Sequence, residues 1–348
     1  MDTTDLRPGT TISRVIRGNW QLAGGHGAID RATALDDLLA AFDSGVTTFD
    51  CADIYTGVEV LLGEFRRHLA AKRGREAADR LRVHTKLVPD LDLLPRLKPA
   101  DLEAIVDQSR RRLGVERLDL VQFHWWDMAV PGAVEAMLAL DGLRRAGKLS
   151  LVGATNFDTP QTRAILEAGV PLVSMQTQYS LLDARPEHGL AALCQSRDVA
   201  LLCYGTVAGG FLSDAWLGRA EPGEPLENRS LTKYKLIIED FGGWALFQAL
   251  LRACRTIADR HGSDIATVAS RAVLDRPGVA AVIVGGRNGA HVAANAAIGD
   301  LRLSAEDHAA LEAVLARRTG PLGDTYALER DRTGRHGRVM KYNLNSAA

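Results

Sequence analysis

The sequence runs to 348 residues, 46% of them hydrophobic, with a formal net charge of −1; a chain of this make-up buries a sizeable core and lacks the charge excess that nucleic-acid or anionic-membrane partners select. Its four cysteines, Cys51, Cys194, Cys203 and Cys254, lie far apart with no CxxC pair, which excludes a cysteine metal cluster or a disulfide framework from the expectation. No window of about 20 apolar residues occurs and residues 1–18 hold no apolar run bounded by basic residues, so a soluble, cytoplasmic protein is expected.

Short β-branched or apolar runs then alternate with amphipathic stretches of helical period, the mark of parallel βα units. Eight strands are predicted, at 14–22, 46–52, 81–87, 118–124, 149–156, 172–179, 200–205 and 279–286. Helices are predicted at 31–43, 57–69, 99–113, 131–145, 160–167, 186–196, 265–274 and 305–317, several with a proline in the first turn, where its missing N–H costs nothing. This alternation predicts an α/β chain folded as one (β/α)8 TIM barrel, a single domain over 1–348 with barrel and terminal helix at about 14–318. A doubly wound sheet is the rival, but GxGxxG is absent after the first strand, and Gly24-Gly25-His26-Gly27 does not replace it. Two segments exceed the barrel's needs. Residues 207–243, after strand seven, carry Gly, Pro and charge and are expected to form a long loop acting as a lid. The tail, 319–348, holds Tyr326, Met340 and Tyr342 and is expected to pack over the barrel mouth.

The strand-end residues carry the chemistry. In Thr47-Thr48-Phe49-Asp50-Cys51, alternation puts Thr48 and Asp50 on one face and Thr47, Phe49 and Cys51 on the other. A carboxylate facing a barrel interior needs a cation; Lys86 at the end of the next strand supplies one, with Tyr55 five residues beyond Asp50. In Leu120-Val121-Gln122-Phe123-His124 the same alternation turns Gln122 and His124 together. An ammonium beside a phenol is expected to lower its pKa, and His124 to donate a second hydrogen bond to a carbonyl oxygen. No side chain supplies electrons, so a nicotinamide is implied. Thr155, Asn156 and Gln176 suit its carboxamide, and Tyr204 offers a flat face for its ring. Gly285, Gly286 and Arg287 lead into a helix N-terminus and read as a phosphate site.

These motifs, Phe49-Asp50-x-Ala52-Asp53-x-Tyr55 with Glu59, Thr85-Lys86, Asp119 to His124, Val152 to Phe157, and Gly285-x-Arg287 with Asn295, resemble the aldo-keto reductases over nearly the whole chain. The resemblance implies a barrel that uses NAD(P)H without a Rossmann fold, with Asp50, Tyr55, Lys86 and His124 as its catalytic tetrad. It further implies Thr155, Asn156 and Gln176 on the carboxamide, Tyr204 stacked on the nicotinamide, Asn295 facing the adenine, and Gly205, Thr206 and His291 completing the cofactor set. The chain departs from the family pattern at Gly205-Thr206-Val207, where Ser-Pro-Leu is common, and at Val284, His291 and Ala294. Arg287 can fork a 2′-phosphate, which favours NADPH, with NADH the alternative. The expected activity is reduction of an aldehyde or ketone to an alcohol, or the reverse. A regulatory subunit with little turnover and a Schiff-base lyase using Lys86 are the other readings. Trp20, Trp125 and Trp126 are expected around the substrate, Trp125 ahead of Trp126 because the chain is expected to bend after His124.

Overall fold

A computed structural model describes residues 1–23, 30–286 and 289–345. An antiparallel hairpin, β1 (Thr3–Arg7) and β2 (Thr10–Ser13), precedes the barrel. Eight parallel strands then follow one another round a closed ring, with the last pairing to the first: β3 (Val15–Gly18), β4 (Thr48–Asp50), β5 (Arg82–Leu87), β6 (Leu118–His124), β7 (Leu149–Thr155), β8 (Leu172–Gln178), β9 (Ala200–Tyr204) and β10 (Val279–Gly285). The helices are α1 (Arg31–Asp43), α2 (Val58–Arg73), α3 (Arg75–Arg80), α4 (Pro99–Leu113), α5 (Ala133–Arg145), α6 (Thr159–Glu167), α7 (Leu190–Ser196), α8 (Arg229–Phe241), α9 (Gly243–His261), α10 (Ile265–Leu274), α11 (Val292–Asp300), α12 (Ala305–Leu315) and α13 (Ala327–Arg330).

Alternation along the strands sorts the core into two layers. Outward residues such as Val83, Val121, Phe123, Val152 and Ala154 pack against the helices, while Ile16, Leu120, Val173, Leu202, Ala281 and Ile283 fill the lower interior. The hairpin completes that lower layer with Leu6 and Ile12. It was not anticipated from sequence because Thr3–Arg7 carries one buried apolar side chain, too little for a period-two signal. Near the carboxyl ends the interior turns polar. Register sets Asp50 beside His84, Lys86 beside Gln122, and His124 beside Thr155, which in turn pairs with Gln176. Gly153 faces this layer, and a Cβ there would meet Ser174 Oγ at 2.6 Å and Gln122 Cγ at 3.1 Å, so its missing side chain makes room for the amides above.

Of the two surplus segments, the first differs from its expected form. The stretch 207–243 is no bare loop: two 3-10 turns, Ala208–Gly210 and Asp214–Trp216, lead into α8. Tyr234, Ile237, Ile238 and Phe241 recur on one face of that helix and pack with α9 and α10 in an apolar cluster of their own. The tail does cross the barrel mouth. Glu329, fully buried in α13, accepts two bonds from Arg185 at 2.8 and 3.0 Å, and Arg185 also forks Asp183 at 2.7 and 2.9 Å. Tyr342 donates to Glu329 O and Gly337 O, and Asn345 reaches Val88 O beyond β5 at 2.8 Å.

Burial opposes Glu329's charge, but Arg185 and Lys233 overcome it and hold the carboxyl down to about 2. Its folded pKa lies below the unfolded value, so its contribution is present above about pH 4.3 and is lost as pH falls toward 2. Glu329→Gln should therefore cost about 3 kcal/mol at pH 7, as expected for breaking a buried pair. Urea unfolding at pH 7 and pH 3 should show the gap to wild type narrowing at the lower pH; an equal gap at both would mean the pair does not fasten the tail.

Candidate active site

Asp50 lies at the end of β4, 4% exposed. Its carboxylate accepts from Lys86 Nζ at 2.5 Å, Gln176 Nε2 at 2.7 Å and Gln122 Nε2 at 3.3 Å. Lys86 Nζ also donates to Cys51 O at 3.0 Å and Tyr55 OH at 3.5 Å. Three donors thus meet three acceptors, the complement of an ammonium. Burial alone would lower the Lys86 pKa, but Asp50 and its hydrogen bond raise it above the usual lysine value. A Schiff-base lysine must shed its proton to attack, so this environment opposes the lyase reading. Gln122 was visible in the sequence as facing the same way as His124, but its bond to Asp50 was not foreseen.

The expected lowering of the Tyr55 pKa is corrected by the structure. Burial pushes the phenol up, outweighing the opposing pull of Lys86. The group stays protonated at neutral pH, the state a proton donor needs.

His124 also differs from the expected donor. Its Nδ1 lies 3.1 Å from Thr155 O, and a carbonyl only accepts, so Nδ1 carries the proton and the neutral ring presents a bare Nε2. Burial lowers its pKa to about 3, so the neutral form persists across ordinary pH. Among the described residues Nε2 is buried without a partner, as is Thr155 Oγ1.

On the next strands, Tyr204 OH donates to Asn156 Oδ1 at 2.8 Å, and Asn156 takes a left-handed φ of 61° that an amide side chain tolerates. Gly205 turns at φ 78°, where a Cβ would lie 2.5 Å from Tyr234 OH. Thr206 points elsewhere: it is buried with its hydroxyl 2.9 Å from Ser270 Oγ on α10. At β10, Asn295 Nδ2 donates to Gly285 O at 3.1 Å, and Arg17, a buried residue not singled out from sequence, donates to Gly286 O at 2.9 Å. His291 is exposed at the start of α11. Arg287 and Gly24-Gly25-His26-Gly27 lie outside the described residues. Buried polar atoms at Thr155 and His124 without partners among the described residues, the left-handed glycine at Gly205, the glycine that ends β10 at Gly285, and amides along one rim fit a nicotinamide dinucleotide.

The tryptophans reverse their expected order. Trp126 meets the His124 ring edge-on at 4.2 Å and Tyr342 at 5.3 Å. Trp125, 1% exposed, points away: its Nε1 donates to Val130 O and it packs on Phe123, lining a cavity of about 240 Å³ between α4 and α5. The chain keeps alternating past the end of β6 instead of bending, so Trp126 shares His124's side. Trp20 is 37% exposed and lies edge-on to Tyr55 at 5.0 Å. From the tail, Tyr326 meets His124 at 5.7 Å and Arg330 donates to Asn156 O. The sequence singles out Tyr326 as a tail aromatic over the mouth, but nothing in it places Tyr326 against His124 or Arg330 against Asn156.

Comparison with known proteins agrees with this geometry. The family model for the Aldo/keto reductase family matches residues 14–316. The NADH-specific methylglyoxal reductase of Escherichia coli is 25% identical over 329 residues, covering 88% of this chain and 94% of that protein. Flagellar radial spoke protein 5 of Chlamydomonas reinhardtii is 30% identical over 261 residues, 64% of this chain; the chain spans about half of that longer protein, 49%. A solved glycerol dehydrogenase from Gluconobacter oxydans superposes with a TM-score of 0.75 at 25% identity, covering 90% of this chain and 95% of that one. The chain belongs to the aldo/keto reductase family and is an NAD(P)-dependent oxidoreductase that interconverts carbonyl compounds and alcohols.

Proposed function

We propose that the barrel mouth reduces a small aldehyde or ketone with Tyr55 as proton donor, NADPH as the preferred cofactor and NADH as the poorer one. The observation that carries the reading is the Lys86 ammonium shared between Asp50 and Tyr55 OH. When Tyr55 gives its proton to the carbonyl oxygen, the phenolate left behind is stabilised by an ammonium already in place, which is preorganised electrostatic stabilisation. Asp50, with Gln122 and Gln176 on its oxygens, keeps Lys86 charged and aimed. The bare Nε2 of His124 accepts a hydrogen bond from the alcohol hydroxyl, and Trp126 orients its ring. A nicotinamide, when bound, supplies hydride to the carbonyl carbon.

In this reading Thr155, Asn156 and Gln176 hold the carboxamide and Tyr204 the ring face. Gly205 and Thr206 contribute through their backbone turn, since the Thr206 side chain is engaged with Ser270. Gly285, Gly286, Arg287, His291 and Asn295 surround the nucleotide. The preference for NADPH rests on Arg287 and on the second cation, Arg17, beneath Gly286. Trp20 and Trp126 wall the substrate pocket. The chain works as one domain, in the cytoplasm; no helix among the described residues is long and apolar enough to cross a membrane.

Tyr55→Phe removes only the proton donor and should slow reduction by roughly 10²–10⁴-fold with little change in cofactor affinity. Because His124 stays neutral above about pH 3 and Tyr55 is raised, neither should contribute an ionisation to wild-type kcat/KM between about pH 5 and 9, whereas buried Asp53, pushed up to about 7, titrates inside that window. A variant keeping more than half of wild-type kcat, or an acidic limb near 6.5 that persists in Asp53→Asn, would sink the assignment.

Arg287→Ala should weaken NADPH binding by roughly 10–150-fold and leave NADH nearly unchanged, the span of a charge-assisted fork. Equal losses in fluorescence titration would place Arg287 on the pyrophosphate or the fold.

The two tryptophans should separate cleanly. Trp125→Ala should cost about 3–5 kcal/mol of stability with kinetics near wild type, while Trp126→Ala should raise KM for bulky carbonyls with a smaller change in Tm. The opposite pattern in paired kinetic and melting measurements would overturn the pocket wall.

A further inference from the structure

Two acidic residues of the strand-end motif take no part in the chemistry described so far: Asp53 and Glu59, 3% and 1% exposed. Glu59, on α2, accepts from Thr85 Oγ1 at 2.6 Å and pairs with Arg112 of α4 at 3.4 Å. Arg112 can reach in because α2 and α4 pack closely at Gly63, where a Cβ would lie 2.6 Å from Arg112 O. The same guanidinium donates to Asp53 O at 3.1 Å.

Asp53 stands two residues before Tyr55, in the turn that Tyr55 N closes on Ala52 O at 3.0 Å. Every polar group of Asp53 is engaged. Its N–H donates to Lys86 O at 3.0 Å, and its carboxylate accepts from Val88 N at 3.1 and 3.2 Å and from Ile54 N at 2.8 Å. Lys86 O and Val88 N flank Leu87, so the turn bearing the phenol is tied to the same strand end from which the Lys86 side chain extends. Tyr55 OH lies 3.5 Å from Lys86 Nζ, at the outer limit of a hydrogen bond. Even a small outward drift of the turn loses that contact.

We propose that Asp53 is a positioning residue for the reduction: its ionised carboxylate clamps the Tyr55 turn to the end of β5 and so keeps the phenol within reach of the Lys86 ammonium. The inference rests on Tyr55 being the proton donor. An ionised carboxylate only accepts, and the partners of this one are backbone N–H groups, so a proton on it sets a donor against donors. Burial pushes the carboxyl up to about 7, with Glu59 on α2 adding to the effect and the Val88 and Ile54 amides and Arg112 on α4 opposing it. The contacts from the β5 end are the backbone of Lys86 and Val88 alone. The clamp therefore loosens as pH falls through about 7, and reduction slows with it.

The test is a pH profile, with 4-nitrobenzaldehyde or methylglyoxal as substrate and NADPH or NADH in excess. Wild-type kcat/KM should fall by roughly tenfold from pH 8 to pH 6, the span of one ionisation near 7. Asp53→Asn should lose that limb and run at roughly 10–100-fold below wild-type kcat at pH 8, the cost of misplacing a positioned group, with KM, cofactor affinity by fluorescence titration and Tm near wild type. Asp53→Glu keeps a carboxylate and should recover part of the rate together with a limb. Should Asp53→Asn not fold, Arg112→Gln decides in its place: it removes the cation that favours the charged form, so the limb should move to higher pH. A flat wild-type profile, wild-type kcat in Asp53→Asn, a kcat that falls only in step with Tm, or a limb that Arg112→Gln leaves in place overturns the inference and leaves the Tyr55 reading standing. Failure of both aldehydes to oxidise either cofactor, or a limb that outlives Asp53→Asn, overturns the two together.

Discussion

The Lys86–Asp50 pair is the interaction on which the mouth of this barrel depends. Two charges withdrawn from water lose more hydration than their mutual attraction returns, unless the remaining lone pairs and protons are also satisfied. Here they are. Asp50 takes two amide donors besides the ammonium, and Lys86 spends its other protons on Cys51 O and Tyr55 OH. Register puts Lys86 beside Gln122 on the adjoining strand, Gln176 reaches Asp50 across the barrel interior from β8, Tyr55 follows β4 in the loop beyond it, and Gly153 leaves the space in which Gln122 lies. The closed sheet is thus what makes a dry ion pair tolerable, and the ion pair is what gives Tyr55 an ammonium neighbour.

A second buried set, Arg185 with Asp183 and Glu329, applies the same rule to closure. Strand residues fix the first pair, whereas Glu329 arrives from α13, 144 residues along the chain from Arg185. The tail so fastened brings Tyr326 and Tyr342 against His124 and Trp126. Aromatic walls over the mouth exclude water, and every charge below them then acts through a lower effective dielectric. The low pKa of His124 follows from this enclosure, burial being its largest cause. A histidine that an open barrel would leave titrating near neutrality becomes a fixed neutral acceptor.

Strand alternation and strand ends were legible in the sequence, because both are local and periodic. They were enough to give the barrel and to put Asp50, Lys86, Gln122 and His124 on one side of it. What was not legible depended on contacts across the chain or on the balance of opposing effects. Tyr55 sits beside an ammonium, as expected, yet its pKa moves the other way because the cost of burying a phenolate exceeds the attraction of Lys86. Trp125 and Trp126 were misordered by an assumed bend, when plain continuation of the period was the better guide. The hairpin β1–β2 offers a single buried side chain in its first strand. The pairing of Arg185 with Glu329 has no sequence signature at all, since neither neighbourhood announces the other. The helix α8 was hidden by the Gly- and Pro-rich stretch before it, although its apolar spacing at Tyr234, Ile237, Ile238 and Phe241 was there to be counted.

Gln176 joins the two halves of the proposed site in a way that neither half alone suggests. Its amide nitrogen is bound to Asp50 at 2.7 Å and to Gln122 Oε1 at 3.2 Å, so only its oxygen is left for a carboxamide. On the proposed reading, a carboxamide N–H given to that oxygen draws electron density from the amide and makes its N–H a stronger donor to Asp50, the usual cooperativity of hydrogen-bond chains. Stronger donation to Asp50 weakens that carboxylate's hold on Lys86, leaving more of the ammonium's field for Tyr55 OH. Cofactor docking and proton donation then share one chain of hydrogen bonds, from Gln176 through Asp50 and Lys86 to the phenol.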